Sequence, residues 1–305
     1  MEAEVVYDVR DLVKVYPGQA RPANKNVTLQ VYRGEIFGIL GENGAGKSTL
    51  VRQMANLLRA TSGSIRLFGQ SVDQDPLHVP RNVGYMPQET HALNNLSVGE
   101  ALYFTAHLRG MDRAGARWEC ERLLDLWQMQ DLRHVYSPHL SGGQRRLLRL
   151  AVAMVGCPPV LILDEPTNDL DPQRRRLVWD VLRDLNHEHG TTIIFITHDA
   201  IEAEKIIQRV GIMRDGELVA VGWPSALKQR VDQKLRLELF FSPESPPNLP
   251  PGLTCYRLEA GRWLVLLERE QMMAVLNCLN LEQVDDLRLQ SATLEDLYLH
   301  YAARA

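Results

Sequence analysis

Two kinds of hydrophobic pattern alternate along the first 230 residues of the chain. Short apolar runs, among them residues 35–40, 160–163 and 191–197, have the length and composition of buried strands. Amphipathic segments such as residues 50–58 have the spacing of helices. Because this alternation is typical of strands that are joined by crossover helices, it predicts an α/β domain with a mostly parallel sheet over residues 1–230.

The pattern changes in residues 231–305, which predict a small C-terminal α+β domain. Residues 234–241 alternate as a strand does, and residues 253–268 predict two strands about a glycine turn. A helical segment and a further strand follow. Thr293 and Asp296 then have the spacing of a capping box, which predicts the start of a last helix.

Five prolines crowd residues 242–252, between the first two of these strands. Proline lacks an N–H donor and fixes φ, so the segment is neither a helix nor a central strand. It is either a linker or a long loop inside the C-terminal domain. We favour the loop, because the strand at residues 234–241 would otherwise have no partner.

Composition and charge narrow the function classes. The 305 residues suffice for about two domains, and 45% hydrophobic with 24% charged residues is ordinary for a globular protein. A net charge of −4 gives no basic footprint, so nucleic acid is not expected as a partner. The N-terminus lacks the apolar region of a secretory signal, and no apolar run approaches the roughly 18 residues of a membrane helix. Any membrane role must therefore act through another chain.

A glycine-rich loop, GENGAGKST, lies between the strand at residues 35–40 and the helical segment 50–58. It fits the phosphate-loop pattern G-x-x-x-x-G-K-[ST] in the required strand-loop-helix context, which disfavours a glycine turn with a chance lysine. Glycines let backbone N–H groups approach phosphate oxygens, and the start of a helix adds a favourable dipole. Lys47 would neutralise the β- and γ-phosphates, and Ser48 would place its hydroxyl on Mg²⁺. The predicted nucleotide-binding residues are Gly41, Asn43, Gly44, Ala45, Gly46, Lys47, Ser48 and Thr49.

Polar side chains also end two further predicted strands. Asp164 and Glu165 follow the strand at residues 160–163, and adjacent buried carboxylates are costly without a cation or polar partner. We assign Asp164 to the metal and Glu165 to general base, although such a pair is by itself more often a solvated strand end. His198 follows the strand at residues 191–197. Ligands of open α/β sheets bind at this edge, so His198 is a candidate contact to the γ-phosphate.

The stretch LSGGQ, residues 140–144, has two interpretations. Ser141 and Gln144 have the spacing of a capping box, and capping a helix would explain the motif without any ligand. The same helix start, with free N–H groups, a hydroxyl and two glycines that allow close approach, would also bind an anion. A chain with a complete phosphate loop needs no second phosphate-binding helix for the same nucleotide.

With these motifs in this order, residues 5–230 resemble the nucleotide-binding subunit of an ABC transporter, a likeness that covers about three-quarters of the chain. The resemblance implies that Gln88 reaches Mg²⁺ and the attacking water, and that it links the site to a helical subdomain at about residues 91–155. It also implies that Tyr16 stacks on adenine, that Asp171 belongs to the D-loop and that His198 is the switch histidine. The implied catalytic residues are Glu165, His198 and Gln88, and the implied metal ligands are Ser48, Gln88 and Asp164.

The resemblance also implies partners. Ser141, Gly142, Gly143 and Gln144 are similar to the family's signature motif, which closes over the ATP held by the other subunit of a head-to-tail dimer. The implied partners are therefore a second nucleotide-binding subunit, identical or a paralogue, and integral membrane permease subunits. The implied cofactors are ATP and Mg²⁺, and the implied location is peripheral, on the cytoplasmic face of the inner cell membrane. Where transporters of the family commonly carry a D-loop glycine, this chain has Asp169, and aspartate tolerates the left-handed conformation well.

Three function classes compete: the ATPase of a membrane transporter, a soluble ABC protein acting on ribosomes or DNA, and an ordinary phosphate-loop kinase. The soluble members usually carry two nucleotide domains or a long coiled-coil insertion, and the kinase class leaves LSGGQ unexplained. The tail SATLEDLYLHY resembles the multidrug and antibiotic exporter ATPases of the daunorubicin-resistance type. We therefore expect an exporter, with polysaccharide or lipid export and a permease of unknown direction as alternatives.

Overall fold

A computed structural model describes most of the chain, and the chain forms two compact units. One comprises Met1–His198 and Lys205–Val221, and the other comprises Asp199–Glu204 and Gly222–Ala305. The first unit ends at Val221, whereas the sequence placed the boundary after residue 230, so the predicted boundary lies one helix beyond the boundary between these units. The described residues are 4–89, 92–197, 204–231, 234–280, 283–291, 293–294 and 296–297. His198 lies outside them.

The elements follow in chain order. Up to residue 222 they are β1 (Val5–Lys14), β2 (Asn24–Tyr32), β3 (Ile36–Leu40), α1 (Lys47–Met54), β4 (Ser62–Leu67), β5 (Gln70–Ser71), α2 (His78–Asn82), β6 (Val83–Met86), α3 (Val98–Leu108), α4 (Arg113–Leu126), α5 (Gly142–Met154), β7 (Val160–Asp164), α6 (Pro172–His189), β8 (Thr192–Thr197), β9 (Arg209–Arg214) and β10 (Glu217–Gly222). The later elements are α7 (Pro224–Val231), β11 (Leu235–Phe240), β12 (Thr254–Glu259), β13 (Arg262–Leu267), α8 (Met272–Cys278) and β14 (Asp286–Gln290).

The sheet that carries the predicted motifs has the strand order β10-β9-β3-β8-β7-β6 among the described residues. Strand β3 pairs in parallel with β8 and β9, and β7 pairs in parallel with β6 and β8. Every residue of β3, β7 and β8 is buried, as expected of parallel strands that are covered on both faces. The carboxyl ends of these strands therefore lie at one edge of the sheet, and the predicted α/β class with a mostly parallel sheet is confirmed.

A second, antiparallel sheet with the order β2-β1-β4-β5 was not anticipated from the sequence. In β1 buried and partly exposed residues are mixed, and the register with β2 shifts, so the hydrophobic pattern there is weaker than in the parallel strands. Buried residues of β1, such as Val9, belong to the same hydrophobic cluster as Ile162 of β7 and Ile194 of β8. The two sheets thus share one core.

Three helices occupy the segment predicted to be a helical subdomain. Each has a side-chain N-cap: Ser97 caps α3, Asp112 caps α4 and Ser141 caps α5. Helix α5 buries a face that includes Leu147, and it carries Arg145, Arg146 and Arg149. Among the described residues, none of the helices combines the length and the apolar character that crossing a membrane requires.

The second unit is α+β, as the sequence predicts. Its described strands form an antiparallel sheet of order β12-β13-β11-β14, in which Leu237 and Leu239 of β11 pack in one cluster with Val265 of β13. The proline-rich segment connects two strands of this sheet, β11 and β12, which confirms that it is a loop. The predicted capping box is present, because Asp296 N donates to Thr293 Oγ1 at 3.2 Å and Thr293 N donates to Asp296 Oδ2 at 2.8 Å.

Candidate functional site

The loop Gly41–Thr49 joins β3 to α1 at the carboxyl edge of the parallel sheet. Its glycines are required for different reasons. Gly44 and Gly46 have φ values of 88° and 98°, in the left-handed region that favours glycine. A Cβ atom on Gly41 would lie 2.4 Å from the carbonyl oxygen of Met213, and one on Gly46 would lie 2.2 Å from that of Ala23. Close packing against neighbouring backbone therefore fixes the path of the loop.

Lys47 is the first residue of α1 and is buried beneath the loop. Its ammonium donates to the carbonyl oxygens of Gly41 at 2.6 Å and Glu42 at 2.8 Å. Burial lowers the pKa of Lys47, while the carboxylates of Glu165, Asp164 and Glu42 act in the opposite direction. The lysine is thus a buried cation that is held beside acidic groups at the end of the sheet.

A cavity of about 300 Å³ brings the predicted residues of three separate segments together. The phosphate loop forms one side of it, the two carboxylates after β7 form another, and Gln88 reaches it from the loop after β6. The residues that line the cavity are Ala23, Asn43, Gly44, Gly46, Lys47, Ser48, Thr49, Gln88, Asp164 and Glu165. Parallel strands place their carboxyl ends together, which explains why residues so distant in sequence converge here.

Asp164 is the last residue of β7, and only 1% of it is exposed. Neither of its carboxylate oxygens has a hydrogen-bond partner within the described part of the chain. Burial raises the pKa of Asp164, although the Ser48 hydroxyl and the Lys47 ammonium act in the opposite direction. Buried, unpartnered carboxylate oxygens next to a hydroxyl are the hard oxygen ligands that Mg²⁺ prefers, so these residues fit the cofactor.

Glu165 lies in a tight turn directly after β7. It is 4% exposed and has a φ of 54°, a left-handed conformation that costs about 1–3 kcal/mol in a residue other than glycine. Hydrogen bonds to the backbone of Glu165 hold the turn: its N–H donates to Ile196 O at 3.0 Å, and its carbonyl accepts from Arg146 Nη1 at 2.6 Å and from Asn168 N at 3.5 Å. The strained backbone points the side chain to the cavity that Lys47 also lines.

The arginines of α5 are functional-site residues that sequence reasoning missed. Arg146, which is 8% exposed, bonds both the Glu165 carbonyl and the Asp169 carboxylate, the latter at 3.2 Å. Arg149 donates to the carbonyl of Gln88 at 2.6 Å. The only signal in the sequence was three arginines on one helix face. One helix thus holds the loops that carry Gln88 and Glu165. Asp169, at the position where the family commonly has glycine, adopts the left-handed conformation that aspartate tolerates, with a φ of 61°.

The LSGGQ stretch forms the predicted capping box at the start of α5. Gln144 N donates to Ser141 Oγ at 3.2 Å, and Ser141 N donates to Gln144 Oε1 at 2.9 Å. None of the stretch lines the 300 Å³ cavity. Gly142 instead lines a second cavity of about 520 Å³, together with Arg145 and Asp169, and Gln88 lines both cavities. The chain therefore keeps its own LSGGQ stretch apart from its own phosphate loop.

Four further predicted residues that the structure describes, Gly41, Ala45, Tyr16 and Asp171, lie outside the lining of the 300 Å³ cavity. The Tyr16 hydroxyl is 3.3 Å from Thr49 Oγ1, so its ring adjoins the phosphate loop. Asp171 caps α6 by accepting from Arg174 N at 2.9 Å, a structural role that its position explains without a ligand. His198 falls outside the described residues, and its assignment stays a prediction.

Comparison with known proteins identifies the type of domain. Residues 24–168 match the family model described as ABC transporter. The chain is 32% identical over 272 residues to ATP-binding cassette sub-family A member 2 of Homo sapiens, covering 85% of this chain and 11% of that protein. It is 34% identical over 242 residues to the phospholipid-transporting ATPase ABCA3 of Homo sapiens, covering 79% of this chain and 14% of that protein. The chain thus spans only a small part of these curated relatives.

Solved structures share the fold. The ATP-binding subunit of an ABC transporter superposes with a TM-score of 0.68 at 26% identity, covering 74% of this chain and 92% of that one. A dimeric bacterial ABC transporter cassette, MJ0796, superposes with a TM-score of 0.67 at 24% identity, covering 71% of this chain and 98% of that one. The latter has also been solved in a post-hydrolysis state bound to ADP and Pi. The likeness to the daunorubicin-resistance exporters receives no separate support from these comparisons.

The buried, unpartnered Asp164 predicts an unusual pH dependence of stability. Because its pKa in the folded chain lies above the unfolded value of about 3.9, the folded protein binds this proton more tightly than the unfolded chain does. The buried, ionised Asp164 carboxylate therefore lowers the free energy of unfolding. This loss of stability is absent below the unfolded pKa and fully present above the folded pKa. We expect Asp164→Asn to raise the free energy of unfolding near neutral pH by about 1 kcal/mol or more, and to raise it less at acid pH.

Urea unfolding at neutral pH and near the unfolded pKa of aspartate measures this difference. The control is Asp180→Asn, which removes a half-exposed carboxylate that pairs with Arg183 and Arg176 and should change stability by less than about 0.5 kcal/mol. A destabilised Asp164→Asn variant at neutral pH would show that the carboxylate is satisfied within the folded chain.

Proposed function

Because this chain carries the ATP-binding domain of an ABC transporter, an ATPase that uses ATP with Mg²⁺, we propose that it powers export through separate membrane permease subunits. We further propose that it works as one of two nucleotide-binding subunits. The supporting observation is the 300 Å³ cavity in which a phosphate loop, a buried lysine and two carboxylates converge. A purely structural role could explain each of these groups on its own. It does not explain why all of them line the same cavity.

The proposed roles follow from the position of each group. The N–H groups of the loop and the Lys47 ammonium would bind the β- and γ-phosphates of ATP. Ser48, Gln88 and Asp164 would hold Mg²⁺, which when bound neutralises charge on the phosphate oxygens. Tyr16, which adjoins Thr49 at the edge of the loop, would lie against the adenine ring.

Glu165 is the proposed general base. It lines the same cavity as Lys47 and Asp164, so a water placed against the terminal phosphate would lie within its reach. The turn that carries it is fixed at both backbone atoms, by Ile196 and Arg146. A turn fixed in this way keeps the base beside the cavity, and preorganisation of this kind is what a hydrolytic site requires.

We propose that the LSGGQ stretch acts on the nucleotide of a second subunit. Its N–H groups, the Ser141 hydroxyl and Gly142 form a helix start suited to an anion, and they do not line the cavity of their own phosphate loop. In a head-to-tail dimer each ATP would contact the phosphate loop of one subunit and the LSGGQ stretch of the other. Asp171 and His198 are proposed to line the same shared interface.

An apolar groove supports a permease partner. A cavity of about 290 Å³ lies beside α3 and is lined by Leu57, Val79, Val83, Tyr85 and Leu108, among other residues. Both of its leucines are strongly exposed, Leu108 at 89% and Leu57 at 65%. Clusters of exposed apolar side chains usually mark sites of protein interaction. We propose that a segment of the membrane permease docks here, at the peripheral, cytoplasmic position that the chain would occupy.

The cargo belongs to the proposal as well. Similarity of the C-terminal tail to multidrug and antibiotic exporters favours a drug-like amphipathic molecule. A lipid is the second candidate, because the relative ABCA3 is named a phospholipid-transporting ATPase. Either cargo requires a permease path outside this chain.

The role of Glu165 is tested by Glu165→Gln. Since the amide cannot accept the proton of water, we expect ATP hydrolysis to fall at least about 100-fold, while ATP binding persists. A dimer should then accumulate in the presence of ATP and Mg²⁺, detected by light scattering during gel filtration. Glu188→Gln, at an exposed position near the end of α6, is the control and should hydrolyse ATP normally. Normal turnover in Glu165→Gln would remove Glu165 from the role of base.

The shared site is tested by mixing two inactive variants. Ser141→Arg should block the LSGGQ half, and Lys47→Ala should disable the phosphate loop. Each variant alone should lose hydrolysis. A mixed dimer keeps one complete site, built from Lys47 of one chain and Ser141 of the other, so random mixing should restore roughly a quarter of the wild-type rate. Activity that stays absent after mixing would contradict a site composed of two chains.

The docking groove is tested by Leu108→Glu. Because Leu108 is exposed, the variant should fold and hydrolyse ATP normally, but a buried carboxylate in the interface should weaken permease binding. Fractionation of the native cells should then show the variant displaced from the membrane fraction. Met273→Glu, which introduces the same charge at a 59% exposed position on α8, should remain at the membrane. Equal membrane association of both variants would exclude the groove as the docking site.

A further inference from the structure

Two neutral amides are buried directly behind the phosphate loop. Asn24, the first residue of β2, is fully buried, and Gln53 of α1 is 1% exposed. Asn24 Nδ2 donates to the carbonyl oxygen of Gly46 at 3.0 Å, and Gln53 Nε2 donates to Asn24 Oδ1 at 2.7 Å. Buried amides cost free energy unless they are hydrogen-bonded, so this pair needs an explanation.

The hydrogen bonds fix which way the Asn24 amide faces. Its oxygen only accepts and its nitrogen only donates. Because Gln53 donates to the oxygen, the nitrogen must face Gly46. Gln53 is itself oriented by a further bond to the carbonyl of Thr49 at 3.2 Å, within α1.

Holding the Gly46 carbonyl also orients the next N–H group. In a trans peptide the C=O of one residue and the N–H of the next point in opposite directions. The Gly46 carbonyl accepts two hydrogen bonds behind the loop, from Asn24 Nδ2 at 3.0 Å and from Leu50 N of α1 at 2.9 Å. The Ala45 carbonyl accepts from Gly216 N at 3.1 Å. The N–H groups of Gly46 and Lys47 are thereby turned the other way, to the cavity that both residues line.

We propose that Asn24 is a positioning residue of the phosphate loop, oriented by Gln53, that aims the Lys47 N–H at the bound phosphates. The inference rests on the proposed function, in which this loop binds ATP. Asn24 itself touches no nucleotide and acts through the Gly46 carbonyl. Its neighbour Ala23 supports the same contact, because a Cβ on Gly46 would lie 2.2 Å from the Ala23 carbonyl.

A double variant separates positioning from packing. Asn24→Val alone leaves the buried Gln53 amide with only its longer bond to the Thr49 carbonyl, so it should lower both the melting temperature and the affinity for ATP. Asn24→Val with Gln53→Met replaces both amides by apolar groups of similar size and removes a Gln53 oxygen that is buried without a partner among the described residues. The melting temperature should then return towards the wild-type value.

The affinity for ATP should not return. In both variants the Gly46 carbonyl has lost the Asn24 bond and keeps only the bond from Leu50 N at 2.9 Å. We therefore expect the dissociation constant for ATP, measured by calorimetry, to stay raised about five- to tenfold. The Michaelis constant should rise in parallel, with kcat changed less than twofold, since Glu165 is untouched. The hydroxyl of Asn24→Ser is too short to reach the Gly46 carbonyl, so this variant should raise the dissociation constant for ATP by a similar factor. It replaces the double variant as the test if the double variant does not fold.

Asn186→Val is the matched control. Asn186 also bonds backbone carbonyls, those of Gly34 at 2.8 Å and Thr191 at 2.9 Å, but away from the loop. It should lower the melting temperature without changing the affinity for ATP. Wild-type affinity in both the double variant and Asn24→Ser would overturn the inference while leaving the proposed function intact. Failure of the wild-type chain itself to bind ATP would instead contradict the proposed function.

Discussion

Burial of an ammonium group and two carboxylates at one edge of a parallel sheet is the constraint on which the structure depends. Lys47, Asp164 and Glu165 are each less than a tenth exposed, and charges removed from water are costly unless they are matched. Lys47 is matched by loop carbonyls and by the carboxylates, whereas the Asp164 oxygens have no hydrogen bond among the described residues. The buried charges thus lower the stability of the folded chain at this edge. A bound cation and bound phosphates would offset that loss by pairing with them.

The surrounding side chains hold backbone carbonyls, and they do so from outside the cavity. Arg146 holds the carbonyl of Glu165, Arg149 holds that of Gln88, and Asn24 holds that of Gly46. Glu165, Gln88 and Gly46 all line the cavity. A site arranged in this way is preorganised, because the loops need not be reordered when substrate binds.

The sequence predicts the local chemistry better than it predicts the supports. The phosphate loop, the Asp164–Glu165 pair and the capping box of α5 each depend on neighbours in sequence, so spacing reveals them. The antiparallel sheet of β1 and β2 escaped prediction because its strands are half exposed and irregular in register. The arginine and asparagine supports join residues tens of positions apart, and their carbonyl partners carry no side-chain signal. Only the three-dimensional structure could show them.

Helix α5 begins with the LSGGQ stretch and, one turn later, presents Arg146 to the turn that carries Glu165. In a head-to-tail dimer this single rigid element would contact the nucleotide of one site and support the base of the other. Occupancy of either site would then bias its neighbour, and thermodynamic reciprocity makes the effect equal in both directions. In such a dimer, two hydrolysis events would be linked through one helix of thirteen residues.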